Sequence, residues 1–421
     1  MPIDLLIHSA AQLITCASDK PKRGKAMTDL GLIEGGAVAI DNGLIIDVGS
    51  SADLGSRYQP RTRIDASGKV VCPGFIDAHT HVVYAGDRAA EFEQRIGGAT
   101  YQEIAAAGGG ILNTVQKLRA ASVSQLIAET RARLDEMLRL GTTVAEVKTG
   151  YGLDLDSELK MLQAIEELDL SHAIGLIPTF LGAHAIPPEY KGRGDEYTQY
   201  VIDTLIPAAF DWYAQSHFAA RGVPFFIDVF CEQNAFTLEQ SQRILQAGSA
   251  RGMKAKAHVD EFTDLGGTGM AVELGAVSVD HLDVTSADAV SGLSRSDTIG
   301  IVLPAVNFNL ASSHYADARG LIDAGTALAL ATDINPGSAP CPSLPLVMAV
   351  ACRYQKLSPA EALTAVTINA AHAVGVGERV GSLEEGKLAD VLVINAPDYR
   401  HLAYQFGGNL VETVIKRGRI V

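Results

Sequence analysis

PGFIDAHTHVVYAG, residues 73–86, holds His79 and His81 one residue apart at the end of an apolar run that begins at Val70. On a β-strand, side chains at i and i+2 share a face, so the two imidazoles converge provided that no bulge at Thr80 breaks the alternation. A lone histidine in an apolar run is more often a packed core residue. The meaning of the pair therefore depends on what the rest of the chain brings beside it.

Seven more runs of strand character follow: TTVAEVKTG, AIGLIPTFLGAH, FFIDVFCE, GMKAKAHVDE, AVSVDH, IGIVLPAV and ALALATDINPG. Counting VVCPGFIDAHTH as the first, these make eight, with helical stretches between them. In SVSQLIAETRARLDEMLRLG, Leu126, Ile127, Leu134, Met137 and Leu138 fall at roughly helical spacing. Eight βα units over about 300 residues predict an α/β fold of the (β/α)8 TIM-like barrel type, spanning 69–375. A doubly wound sheet is the alternative, but the Gly-rich GxGxxG turn it normally carries after its first strand is missing.

Outside this span, Gly31 to Gly49 (GLIEGGAVAIDNGLIIDVG) sets two apolar runs around Asp41-Asn42-Gly43, the form of a β-hairpin. ADVLVINAP and VETVIKRGRIV read alike, punctuated by Gly386 and Gly418. Such short strands cannot bury a face alone. Residues 1–68 and 376–421 are therefore expected to pair into one small β-sandwich domain, with the barrel as an insert.

The ends of the expected barrel strands carry the informative polar residues. His184 closes the third, Glu232 the fourth, His258 the fifth, His281 the sixth and Asp333 the eighth. With His79 and His81, five of the 11 histidines lie at C-terminal strand ends, a concentration that packing alone does not predict. The C-terminal face is where a barrel's loops build its site, so these positions read as catalytic.

Composition narrows the partners. The 421 residues are 47% hydrophobic, enough for a large core, and 34 Lys plus Arg against 49 Asp plus Glu give a net charge of −15. That balance argues against binding nucleic acid or an anionic membrane and favours small molecules. The five cysteines are scattered and form no CxxC pair, which argues against a disulfide framework or thiolate zinc site and suits a reducing compartment. The N-terminal stretch lacks a basic n-region and no run reaches about 18 uninterrupted apolar residues, so a soluble, cytoplasmic protein is expected.

PGFIDAHTH, the strand ends at His258 and His281, and ATDINPG resemble the amidohydrolase superfamily of metal-dependent hydrolases, whose barrels carry a small β domain made from both termini. More narrowly, HTHVVYAGDRAAEF, YQEIAAAGGGI, EVKTGYGLD, FLGAHAIPPEY, KAHVDEF and TDINPGSAP are similar to the imidazolonepropionase family. That family opens 4-imidazolone-5-propanoate to N-formimidoyl-L-glutamate in histidine degradation. The resemblance implies one Zn²⁺ or Fe ion held by His79, His81, His258 and Asp333, a set of three neutral nitrogens and a carboxylate that suits a borderline divalent ion. Many binuclear relatives bridge two ions with a carboxylated lysine at the end of strand four. Here Cys231-Glu232 stands in that place, although Lys148 at the end of strand two offers another amine.

The resemblance also implies roles in catalysis and binding. Glu261 is the general base, against the bland reading of a loop carboxylate in solvent. His281 orients the water or stabilises the oxyanion, and Asp333 shares the proton work. For the small anionic heterocyclic substrate, Arg88 supplies the cation, with a bidentate geometry that lysine cannot match, although most arginines are simply solvated. Tyr151 and His184 contact the ring or carboxylate, Asn335, Gly337 and Ser338 line the pocket, and Tyr101 is a weaker candidate. Gly108-Gly109-Gly110 is expected to be a lid, because no GK[ST] follows to make it a phosphate loop. A homodimer is implied by the family alone. The rival readings are a nucleobase deaminase, a cyclic amidase, or a metal-binding barrel without chemistry.

Overall fold

The apolar run that begins at Val70 serves two sheets, divided at Gly74. A computed structural model describes residues 1–99, 103 and 109–421 of the chain; Tyr101 and Gly108 lie outside the described residues. β1 (Pro2–Ile14), β2 (Leu32–Asp41), β3 (Leu44–Ser50), β4 (Gln59–Asp65) and β5 (Val70–Pro73) belong to one sheet, and β6 (Phe75–Asp77) opens the other. Reading 70–81 as one barrel strand is thus corrected. A Cβ on Gly74 would lie 2.3 Å from Thr143 Oγ1, so a residue without a side chain lets the backbone pass from sheet to sheet at this point.

The second sheet continues through β7 (Thr142–Lys148), β8 (Gly175–Ala183), β9 (Phe226–Cys231), β10 (Lys254–Val259), β11 (Ser278–His281), β12 (Ile299–Val302) and β13 (Leu328–Leu330). Each pairs in parallel with the next in chain order. No ladder joins β13 to β6 among the described residues. Instead the ring closes just above both, where Thr80 bridges Ile334, the Asp333 N–H donates to the His79 carbonyl at 3.0 Å, and the His81 N–H donates to the Ile334 carbonyl at 3.0 Å. The hydrogen bonds that close the barrel therefore run through the residues of the expected site.

Helices cover the outside for the reason their periodicity gives. The helix Val123–Arg139 starts at Ser122, whose hydroxyl accepts from the Gln125 N–H, and buries Leu126, Thr130, Leu134 and Met137. Ile127 and Leu138 are partly buried beside them. The remaining strands, β14 (Val391–Ile394), β15 (Val411–Lys416) and β16 (Arg419–Ile420), join the first sheet, where β14 pairs antiparallel with β5. That sheet has eight strands and draws on both chain ends. Leu5, Leu13, Val38, Val71, Val391 and Ile415 share one of its apolar clusters. Its hairpin turns at Asn42 and Gly43, with φ of 51° and 79°, the left-handed pair that a tight hairpin needs. No helix among the described residues is long and apolar enough to cross a membrane, and all five cysteines are unpaired.

Candidate active site

The segments just beyond β6 and β13 and the C-terminal ends of β10 and β11 bring His79, His81, His258, His281 and Asp333 together. Oδ1 of Asp333 lies 3.4 Å from Nε2 of both His79 and His81, and the Nε2 atoms of His81 and His258 face each other at 3.2 Å. Donor atoms of His79, His81 and Asp333 all lie within 4.8 Å of one another, and so do those of His79, His258 and His281. His79 Nε2 and Asp333 Oδ1 are buried without a hydrogen-bond partner. Polar atoms left bare in a core are costly unless something binds them. Converging imidazole nitrogens beside a bare carboxylate oxygen fit a divalent cation.

Electrostatics agree with this fit. Burial, reinforced by neighbouring cationic and imidazole groups, holds His79 and His81 well below the ordinary histidine range, leaving the neutral imidazoles that metal binding requires. Burial pushes the Asp333 carboxyl well above its usual range, opposed by the Asn335 hydrogen bond and Lys148 and reinforced by the charges of Asp77 and Asp280. The backbone is also strained here. Asp260, His281, Leu282 and Asp333 have φ of 55°, 84°, 64° and 52°, left-handed values that cost about 1–3 kcal/mol each for residues other than glycine.

Beside the cluster lies a layer of buried charge in which Asp228, Asp280 and Glu146 were not singled out from the sequence. His79 Nδ1 is 2.6 Å from Asp280, which fixes the proton on Nδ1 and turns the Nε2 lone pair toward the cluster. His258 Nδ1 is 3.1 Å from Asp228. Lys148 Nζ reaches Glu146 at 2.6 Å, Asp228 at 2.7 Å and Asp280 at 3.7 Å, all fully buried. Burial alone would lower the Lys148 ammonium, but Asp228, Glu146 and Asp280 outweigh it and hold the amine protonated. Carbamate formation needs the free amine, which these three carboxylates disfavour. The available signal was a charged residue inside each apolar run: Asp228 in FFIDVF, Asp280 in SVDH, Glu146 and Lys148 in EVK.

Glu261, 12% exposed, is 3.6 Å from His281 Nε2. His184 stacks on His81 with ring centroids 4.8 Å apart, and its Nδ1 is 3.1 Å from the Gly150 carbonyl. Burial and the nearby His258 push it down to about 3, so it is neutral. Tyr151 is buried, with its ring 5.8 Å from that of His81 and 5.4 Å from that of His184. Arg88 precedes the helix Ala89–Ile96 and donates through Nε to Glu91 at 2.7 Å. Its guanidinium lies against Gly337, where a Cβ would sit 2.1 Å from Nη1. The two hydrogen bonds that Asn335 Oδ1 accepts from Gly337 and Ser338 hold this turn, each at 2.8 Å. Asn335 Nδ2 donates to the Asp333 carbonyl at 2.7 Å, tying the turn to the cluster. Glu91 also accepts from the Gly110 N–H at 3.1 Å and was not singled out from the sequence.

Residues 233–421 match the amidohydrolase family. The chain is 56% identical over 421 residues to the imidazolonepropionase of Chloroflexus aggregans, covering 100% of this chain and 99% of that one. It is 50% identical to the imidazolonepropionase of Herpetosiphon aurantiacus, covering 99% and 97%. The fold is shared with an adenosine deaminase from Xanthomonas campestris with bound zinc (TM-score 0.69, 20% identity, 100% and 93% covered). It is also shared with an atrazine chlorohydrolase from Arthrobacter aurescens complexed with zinc (TM-score 0.66, 17% identity, 99% and 94% covered). This chain belongs to the imidazolonepropionase family of amidohydrolases.

Proposed function

We propose that this hydrolase opens the ring C–N bond of 4-imidazolone-5-propanoate to give N-formimidoyl-L-glutamate, using one Zn²⁺ or Fe ion held by His79, His81, His258 and Asp333. The observation that carries the reading is the convergence of His79 and His81 on one bare Asp333 oxygen, 3.4 Å from each. A single ion is supported by Lys148, whose amine is taken up by Asp228 and Glu146. When bound, such an ion polarises the substrate carbonyl and lowers the pKa of water from 15.7 to about 7.

The side chains do the rest. Glu261 takes the proton from the attacking water and returns it to the departing ring nitrogen as the C–N bond breaks. His281, within 3.6 Å of Glu261, faces the same reaction volume and stabilises the developing oxyanion. Asp333 assists the proton transfer. Arg88 pairs with the propionate, Tyr151 and His184 hold the ring between Arg88 and the cluster, and Asn335, Gly337 and Ser338 form the wall on which the guanidinium rests. A cytoplasmic homodimer completes the reading.

The test is to incubate metal-loaded protein with fresh imidazolone propionate, following loss of its ultraviolet absorbance and assaying for ammonia. Absorbance loss without ammonia is the expected result. Ammonia release would point to a deaminase instead, and unchanged absorbance to a barrel without this chemistry. In the same assay, Arg88→Ala raises KM more than it lowers kcat, because the lost pair serves binding in ground and transition states alike. An unchanged KM removes Arg88 from the anion site.

A further inference from the structure

β9 ends at Cys231, and the next side chain, Glu232, is a buried carboxylate whose hydrogen bonds go to backbone amides. One oxygen accepts from the Phe262 N–H at 2.9 Å and the Thr263 N–H at 3.1 Å, and the other from the Gln233 N–H at 2.6 Å. The two amides it gathers from beyond the neighbouring strand belong to the turn directly after Glu261. That turn leaves β10 through Asp260, at φ 55°, so the strand no longer dictates where Glu261 points. The next side chain, Phe262, is 64% exposed and does not anchor the turn by packing. Asp260 is held from the other side, accepting from Thr268 Oγ1 at 2.6 Å and Thr285 Oγ1 at 2.9 Å.

We infer that Glu232 is a positioning residue for Glu261: its carboxylate clamps the 262–263 amides and so aims the base toward His281 and the cluster. Charge-assisted hydrogen bonds to backbone N–H groups are the strong kind, which suits a turn lacking an apolar anchor. The inference rests on the reading of Glu261 as the proton carrier.

The test compares Glu232→Ala and Glu232→Gln, each alone and combined with Glu261→Gln, in zinc-loaded protein. Glu232→Ala is expected to lower kcat about 10- to 100-fold, as loss of a supporting partner typically does, with zinc content unchanged. KM should stay within about twofold of the parent, because substrate is held elsewhere. Glu232→Gln should fall between, since its amide oxygen still accepts from Phe262 and Thr263 while its NH₂ opposes the Gln233 N–H. In the Glu261→Gln background neither change should slow the enzyme further, because a clamp acts only through what it holds. Full kcat in Glu232→Ala, loss of zinc, or an equal further loss in the Glu261→Gln background overturns the clamp alone. Parental turnover in Glu261→Gln itself overturns the base assignment and the clamp with it. If the alanine variant does not fold, Glu232→Gln carries the same comparisons.

Discussion

In the Asp333→Asn enzyme, turnover falls about 10³-fold or more, while the metal-free protein is at least as stable at pH 8 as the metal-free parent. The first effect follows from replacing the only anionic member of the proposed ligand set with a neutral amide, which weakens ion binding and removes a proton acceptor. The second follows from burial. Without a cation, burial holds the Asp333 carboxyl well above its ordinary value of 3.8, so the folded chain keeps a proton that the unfolded chain releases. Where the folded state binds more protons, stability falls as pH rises, here from about pH 3.8 upward. Asparagine removes that fall and tolerates the φ of 52° at this position. Thermal melts at pH 5 and pH 8, with chelator and with added zinc, separate the two effects. Zinc should raise the melting temperature of the parent far more than that of the variant. A variant that keeps one ion per chain and parental turnover removes Asp333 from the site.

The second large effect belongs to Glu261→Gln, where kcat should drop by about 10²- to 10⁴-fold, the usual worth of a positioned general base. Metal content should not change, because Glu261 is not among the side chains converging on Asp333. Burial, with the charge of Asp333 next, raises the Glu261 carboxyl well above its usual range, and its side chain is 12% exposed. That enclosure weighs against an ordinary solvated acid. Near-normal turnover with metal retained returns Glu261 to that ordinary role.

Much of this architecture is legible in the chain because period and position coincide. Apolar runs of strand length alternate with helical stretches, and the polar exceptions fall at the C-terminal end of each run, where a barrel builds its site. The division at Gly74 was not legible: Val70 to Ala78 reads as one apolar run, and nothing local says that a strand changes sheet. That the ring closes through His79–His81 and Asp333–Ile334 depends on register between segments about 250 residues apart. Asp228, Asp280, Glu146 and Lys148 are visible as charges within apolar runs, but their pairing appears only when neighbouring strands are set side by side. Arg88 resting on Gly337, and Glu232 reaching the amides beyond Glu261, join loops that no pattern in either segment links.

We propose that four side chains, from three places in the chain, hold one ion at the barrel mouth. Anomalous X-ray scattering at the zinc or iron edge, from crystals of the purified protein, tests it most directly. One peak per chain is expected, about 2.0–2.2 Å from nitrogens of His79, His81 and His258 and from a carboxylate oxygen of Asp333. A peak bound by other residues would rule out this ligand set, and a second strong peak beside Lys148 would rule out a single ion.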